Sequence, residues 1–454
     1  MKYLILLLLF STTLQAQNEF NNWFFGTNLG LNFSGANPVL ITGGQINQAE
    51  GNATISDASG NLLFYTSGTT VYNRLHGVMT NGTGLLGHAS STQSAIIVQK
   101  PWSSNIYYIF TADADVGVNG IRLSEVDMNL SGTLGAVTAT KNVLLQTPSC
   151  EKLTAVRHCN NRDVWVVSHD WNSNTFRSWL VSPTGVSAAV TSNAGYTPVT
   201  PTQQAYGQLK ANSRGDMLAA AIYGTSAQIS GNRVEIYGFN NSTGQVTSAT
   251  NLGTVNGAYG VEFSLSGRYL YASTNPGYLY QWDLCAANIQ GSKYLVSNMG
   301  AFGGSLQLGK DGKIYLVRGV NKWISRITNP EIYGGGCGFV DQYITTPTNS
   351  NFGLPNFAPY YVYPQPIPFS NVRQGCDNIC YTASPNSVIC QTNQTPIYKW
   401  TLHDGVQFGL TACTSIIPNT NQTVMLELIY PCRIDTVIQT GFNYPEINAQ
   451  LTIN

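Results

Sequence analysis

Charge is scarce in this sequence. Only 10% of its residues are Asp, Glu, Lys or Arg, and the formal net charge is zero. A nucleic-acid partner would demand a basic field, so none is expected. Histidine is thin as well. The five present, His76, His88, His158, His169 and His403, are scattered along the chain. His158, His169 and Cys159 invite a zinc reading, but no close pair has metal-ligand spacing, which favours structural roles. There is no G-x-S-x-G elbow and no convincing triad. The glycine-rich GTGLLG at 82–87 lacks the Lys-Ser/Thr and the strand–helix setting of a phosphate loop. No apolar run reaches the roughly 20 residues of a membrane span, so no transmembrane segment is expected. No sustained helical period is found either.

The chain does have an N-terminal leader pattern. MKYLILLLLFSTTLQAQ offers a short positive start at Lys2, an apolar run and a small-residue end at Ala16. It reads as a signal peptide over 1–16. No cysteine follows the cut, which disfavours a lipid anchor. Gly, Ser, Thr, Asn and 25 Tyr suit short strands joined by turns on an exported surface. Export also permits disulfides among the nine cysteines. Cys376, Cys380, Cys390, Cys413 and Cys432 crowd the C-terminal part. Cys150 and Cys159 flank an extended EKLTAVRH, roughly 30 Å long at about 3.3 Å per residue, too far apart to bond. Cys159 is expected to be a buried apolar residue.

One phrase recurs: SDASGNLLFYTSG at 56–68, NSRGDMLAAAIYG at 212–224, SLSGRYLYAST at 264–274 and GKDGKIYLVRG at 309–319. Each is a glycine turn leading into a strand with apolar residues on both faces, the signature of a tight hairpin in a covered sheet. A further strand precedes each hairpin, starting near Glu50, Thr92, Glu151, Tyr206, Tyr259, Gly303 and Leu354. Spacings of roughly 40 to 60 residues overlap and exceed the period of propeller blades. The fold expected is all-β: a seven-bladed β-propeller over 17–363, closed by pairing of Asn21–Phe33 with the last unit. Trp282 of the single Trp-Asp pair is read as a packing residue between blades.

After Tyr363 a Pro-rich linker is expected at 364–373. Residues 374–454 alternate like the strands of a small immunoglobulin-like β-sandwich. YKWTLHDG resembles the Y-x-W-x-F-G-D-G signature of polycystic-kidney-disease (PKD) type domains. Tyr398, Trp400, Asp404 and Gly405 match it, while Leu402-His403 stands in place of Phe-Gly.

The large domain resembles a family of secreted surface proteins of gliding and related Bacteroidota. NWFFGTNLGLNF, EGNATISDASGNLLFYTSG, GTGLLGHASSTQSAIIV, GIRLSEVDMNL, EKLTAVRH, LQLGKDGKIY and GLPNF carry the resemblance, in order, from Asn22 to Phe357. It implies surface placement through type 9 secretion, in adhesion or gliding motility, and assigns no catalytic residues. The sorting domain such proteins carry has no recognisable counterpart before the closing EINAQLTIN. A shortened sequence and another export route are the alternatives.

Propellers put ligands where the inner strands begin. The repeat places Glu50, Gln93, Glu151, Lys152, Tyr206, Gln208, Tyr259, Glu262, Gln307 and Asn356 around that mouth. Such a ring suits a sugar, a peptide end or a cation. Its bland use is mutual bonding around channel water. Asp113, Asp115 and Asn119 are candidate calcium ligands, although their loop lacks the following carboxylate of a calcium-binding hand. The leading expectation is a non-enzymatic binding, adhesion or scaffold module, exported to the cell surface with the periplasm as fallback, its partner a protein or glycan. The alternative is an extracellular hydrolase or lactonase acting on polysaccharide or lactone with calcium.

Overall fold

The computed structural model describes residues 18–224, 231–300, 302–358, 369–374, 378–383, 397–415, 417, 421–430 and 433–443. The leader at 1–16 lies outside them. The described residues are all-β, with only short 3-10 turns besides strands.

Three short strands, Asn22–Phe25, Leu29–Asn32 and Val39–Ile41, form the first sheet. Antiparallel meanders follow. Their inner strands are Ala53–Ser56, Ala95–Gln99, Ser149–Arg157, Leu209–Ala211, Ala258–Phe263 and Gly303–Leu308, and each pairs with the strand next in sequence. The first two meanders join edge to edge through the parallel contact of Ala136 with Thr80. The repeated phrase is the hairpin between inner strand and partner. Its glycine takes the fourth turn position at positive φ: +90° at Gly60, +69° at Gly215, +74° at Gly267 and +74° at Gly312. Each glycine N–H closes the turn onto the residue three earlier, at 2.8–3.0 Å. That backbone region is one side chains rarely adopt, which is why the phrase keeps its glycine.

Apolar clusters fill the spaces between successive meanders. Phe64, Ile97 and Ile109 bind the first to the second, and Phe110, Leu153 and Trp179 the second to the third. Trp165, Leu209 and Tyr237 bind the third to the fourth. Val261 and the fully buried Trp282 meet Ile236, and Tyr271 meets Leu316, carrying the chain of interfaces onward. The cycle then returns to the first sheet. Trp23, Phe25 and Leu31 pack against Tyr315, Val317, Leu354 and Phe357, while Phe24 packs on Tyr65. Segment 349–358 ties the two ends together: Thr27 N–H donates to Asn349 at 2.9 Å, Phe352 N–H to Ala49 at 2.9 Å and Asn356 N–H to Asn52 at 2.8 Å.

Two further sheets lie C-terminal. Phe369–Gln374, Asn378–Ala383 and Thr411–Ser415 form one; Gly405–Phe408, Ile397–Leu402, Asn421–Tyr430 and Arg433–Asn443 form the other. Tyr381, Trp400, Leu426 and Leu428 fill their shared core. Cys380 and Cys413, directly opposed on adjacent strands, form a disulfide. Strand Phe369–Gln374 falls across the end of the expected linker 364–373, and 359–368 lie outside the described residues. Cys159 is buried as expected but is disulfide-bonded, which corrects its reading as a simple apolar residue, whereas buried Cys150 is a free thiol.

Candidate functional site

Two glutamines set the level of four of the inner strands. The Gln93 amide oxygen accepts the N–H groups of Leu153 at 3.1 Å and Leu209 at 2.8 Å. The Gln208 oxygen accepts those of Val261 at 3.2 Å and Leu306 at 2.9 Å. Glu151 and Tyr259 therefore lie two residues toward the strand starts. Thr154, Lys210, Glu262 and Gln307 lie one residue the other way. At about 3.3 Å per residue the two groups are separated by roughly 10 Å along the channel. The expected single ring of ten residues is thus divided, and this corrects the sequence reading.

The middle of the channel is tied shut. Lys152 spends its ammonium on the carbonyls of Ala205, Tyr206 and Gly207 at 3.2, 2.6 and 2.9 Å. Burial pulls its pKa down to about 8. The Asn356 amide donates to Leu153 at 2.9 Å. With Gln93 and Gln208, these side chains satisfy backbone groups of neighbouring strands, as buried polar atoms must. In the lower group Lys210 meets Gln307 at 2.5 Å and Glu262 at 3.3 Å. Glu262 also accepts the N–H groups of Phe263 and Leu308, each at 3.0 Å. Lys210 is a residue the sequence reading missed. The group borders a small cavity of about 30 Å³ that Ser213 and Phe357 also line.

The upper group is different, because part of it is accessible. Glu50 and Tyr206 are half-buried and Asp115 is exposed, whereas Glu151 is fully buried. Glu151 accepts the N–H and hydroxyl of Thr92 at 2.8 and 2.9 Å, and the N–H of Asp115 at 2.9 Å. Asp115 and Val116 hold φ of +51° and +61°. Left-handed backbone at a β-branched residue is a strained conformation of the kind that collects at functional sites. It turns the Asp115 N–H to Glu151 and the Asp115 carboxylate to the Tyr206 hydroxyl, which donates to it. The Glu50 backbone is fixed by its N–H on Ala89 at 3.2 Å. Gly353 backs directly onto it, so close that a Cβ there would sit 1.9 Å from the Glu50 carbonyl oxygen.

Burial, then the neighbouring Glu151 charge, push the Glu50 carboxyl up to about 8. Burial pushes Glu151 up to about 7, against the pull of the Asp115 and Thr92 donors. Two coupled carboxyls that cannot both ionise cheaply share a proton near neutrality. Glu151 receives the backbone and Thr92 donors that favour its charge, and Glu50 is lifted further than Glu151 is. The Tyr259 hydroxyl is buried beside Glu50 and Thr92 without a hydrogen bond of normal geometry.

The calcium candidates do not converge. The Asp113 carboxylate is used by its own loop, accepting from Ala114 at 2.9 Å and Asn119 at 3.0 Å, and Asp115 faces Tyr206. Among the described residues no three His, Cys, Asp or Glu side chains are placed to hold a metal. His158 and His169 lie toward opposite ends of one hairpin, which removes the zinc reading. No helix among the described residues is long and apolar enough to cross a membrane.

No protein-family model matches this sequence, and none of the curated proteins matches it. Solved structures do resemble it. A functionally unknown protein from Desulfotomaculum acetoxidans DSM 771 shares 12% identity at a TM-score of 0.45, over 75% of this chain and 99% of that one. A protein from Bacteroides uniformis ATCC 8492 assigned as a 6-phosphogluconolactonase shares 14% identity at a TM-score of 0.38, over 85% and 98%. The periplasmic gluconolactonase of Pseudomonas aeruginosa shares 13% identity at a TM-score of 0.38, over 75% and 97%. Two of these structures are described as lactonases, which stands against the expectation of a non-enzymatic chain.

Proposed function

We propose that the ring of meanders is a seven-bladed propeller followed by a PKD-like sandwich, and that the propeller hydrolyses a small ester or lactone at the mouth holding Glu50, Asp115 and Tyr206. The cyclic succession of apolar interfaces supports the blade count. One feature carries the chemistry: half-buried Glu50, whose carboxyl burial and the Glu151 charge push up to about 8, sits beside the pair of exposed Asp115 and half-buried Tyr206.

Ester hydrolysis needs a base for the water and an acid for the departing oxygen. In this reading the Asp115 carboxylate, oriented by the Tyr206 hydroxyl, takes a proton from water as the water oxygen bonds to the ester carbon. Glu50 gives its proton to the alkoxide as the carbon–oxygen bond breaks. A lactone leaves as its hydroxy acid. Buried Glu151 positions the Asp115 loop and keeps Glu50 protonated. Export by the N-terminal leader belongs to the same proposal and puts the substrate outside the inner membrane, at the cell surface in the family it resembles.

The test is acid release from δ-valerolactone and p-nitrophenol release from p-nitrophenyl acetate. The purified chain should turn over at least one above buffer. Glu50→Gln and Asp115→Asn should each lower kcat/KM by about 100-fold or more, the usual contribution of a positioned acid or base. Absence of turnover on both substrates, or full activity in Glu50→Gln, refutes the reading.

A further inference from the structure

A second feature lies at the other end of the inner strands, in the hairpin that follows Ala95–Gln99. Residues Lys100, Pro101, Trp102 and Ser103 form a turn closed by the Ser103 N–H on the Lys100 carbonyl at 3.0 Å. The Gln99 amide clamps the Ser103 carbonyl at 2.8 Å. Pro101 sets its own φ near −65° and suits the second turn position. Trp102 follows at φ +62°. This is the type II pattern, whose third position favours glycine or asparagine because φ is positive there.

Tryptophan is costly at that position twice over. Its backbone is left-handed, and its side chain is 82% exposed. An isolated exposed apolar residue is ordinary on a protein surface. One of the largest side chains, held outward by a turn that would prefer glycine, is not explained by packing, and strain of this kind marks a functional position. The neighbouring meander contributes a partner. Arg162, on the turn between Ser149–Arg157 and Val164–Asp170, places its guanidinium carbon 4.6 Å from the indole centroid. Asp163 fixes that guanidinium with bonds of 2.7 and 3.0 Å. One indole face is thereby covered and the other left to solvent. Trp102, Arg162, Lys100, Ser103 and Ser104 border an open hollow of about 360 Å³, within the range of ligand pockets.

We propose that this hollow binds an acidic sugar residue of a polysaccharide. The apolar face of a pyranose stacks on the open face of Trp102, as rigid amphipathic aromatics do in recognition sites. Its hydroxyls meet Ser103 and Ser104. Its carboxylate meets Lys100 and Arg162, which together outnumber the single acid, Asp163, that holds Arg162. The site is separate from Glu50 and stands or falls apart from the proposed hydrolysis.

The experiment is calorimetric titration of the full chain with tetragalacturonate and, as the neutral control, maltotetraose. The wild type should bind tetragalacturonate and not maltotetraose. Trp102→Gly should weaken binding about tenfold or more, as loss of an aromatic anchor does, while the melting temperature holds or rises because glycine suits the turn. Lys100→Ala should weaken binding with melting unchanged. No binding of tetragalacturonate, or unchanged binding by Trp102→Gly, overturns the site. Equal binding of maltotetraose overturns the acidic class. A drop in melting temperature for Trp102→Gly overturns the claim that Trp102 is held there for a ligand.

Discussion

Glu50→Gln should make the protein more stable and less active at once. In the folded state burial and the Glu151 charge lift the Glu50 carboxyl from an ordinary 4.5 to about 8. The native state thus binds this proton more tightly than the unfolded chain does. Its contribution to stability is fully present below about pH 4.5 and is lost progressively as pH rises through about 8. At about 1.4 kcal/mol per tenfold change in protonation, the ionisable group costs the native state about 3 kcal/mol at pH 7 relative to acid. Glutamine fills nearly the same volume and cannot ionise. The variant should therefore match the wild type near pH 4 and exceed it by about 3 kcal/mol at neutral pH. Guanidinium unfolding of both proteins across this range measures the difference directly. Two stability curves that run parallel from pH 4 to 8 would refute the reasoning, because they would show that Glu50 ionises normally.

The lower group makes a prediction of the opposite sign. Lys210→Met leaves Glu262 buried without its cation and should cost about 3–5 kcal/mol at neutral pH. The loss should shrink in acid, where Glu262, already lifted by burial, takes a proton; urea unfolding at two pH values reads both effects. Two glycines separate strain from collision. Gly312→Ala meets no heavy atom closer than 3.8 Å, so it should cost only the left-handed penalty of about 1–2 kcal/mol. Gly353→Ala drives a carbon to 1.9 Å from the Glu50 carbonyl oxygen, so it should destabilise further and abolish ester turnover; melting curves and the esterase assay distinguish the two.

The turn glycines were the legible part of the fold. Gly60, Gly215, Gly267 and Gly312 recur because one hairpin geometry recurs, and a repeated local requirement leaves a repeated residue. The level of each polar residue in the channel was not legible. Aligning YGQLKAN with YGVEFS by their shared Tyr-Gly sets Leu209 opposite Glu262 and hides Lys210. In the structure the Gln208 N–H donates to the Tyr259 carbonyl at 2.8 Å, which shifts the strands by one residue and brings Lys210 to Glu262. Asp115 was visible only as an imagined calcium ligand, because its direction depends on two left-handed residues that no spacing rule announces. The division of Glu50 from Glu151 into accessible acid and buried support depends on tertiary burial, which recurrence at one repeat position does not report.

The proposed hydrolysis depends on where the Glu50 proton sits at neutral pH. Carbon-13 NMR titration of protein labelled at the glutamate side-chain carboxyl carbons, with the Glu50 signal identified by its loss in Glu50→Gln, measures this without any assumption about substrate. A midpoint near pH 8 is expected for that signal. A midpoint in the ordinary carboxylate range, near 4.5, would contradict it and remove the general acid from the proposed site.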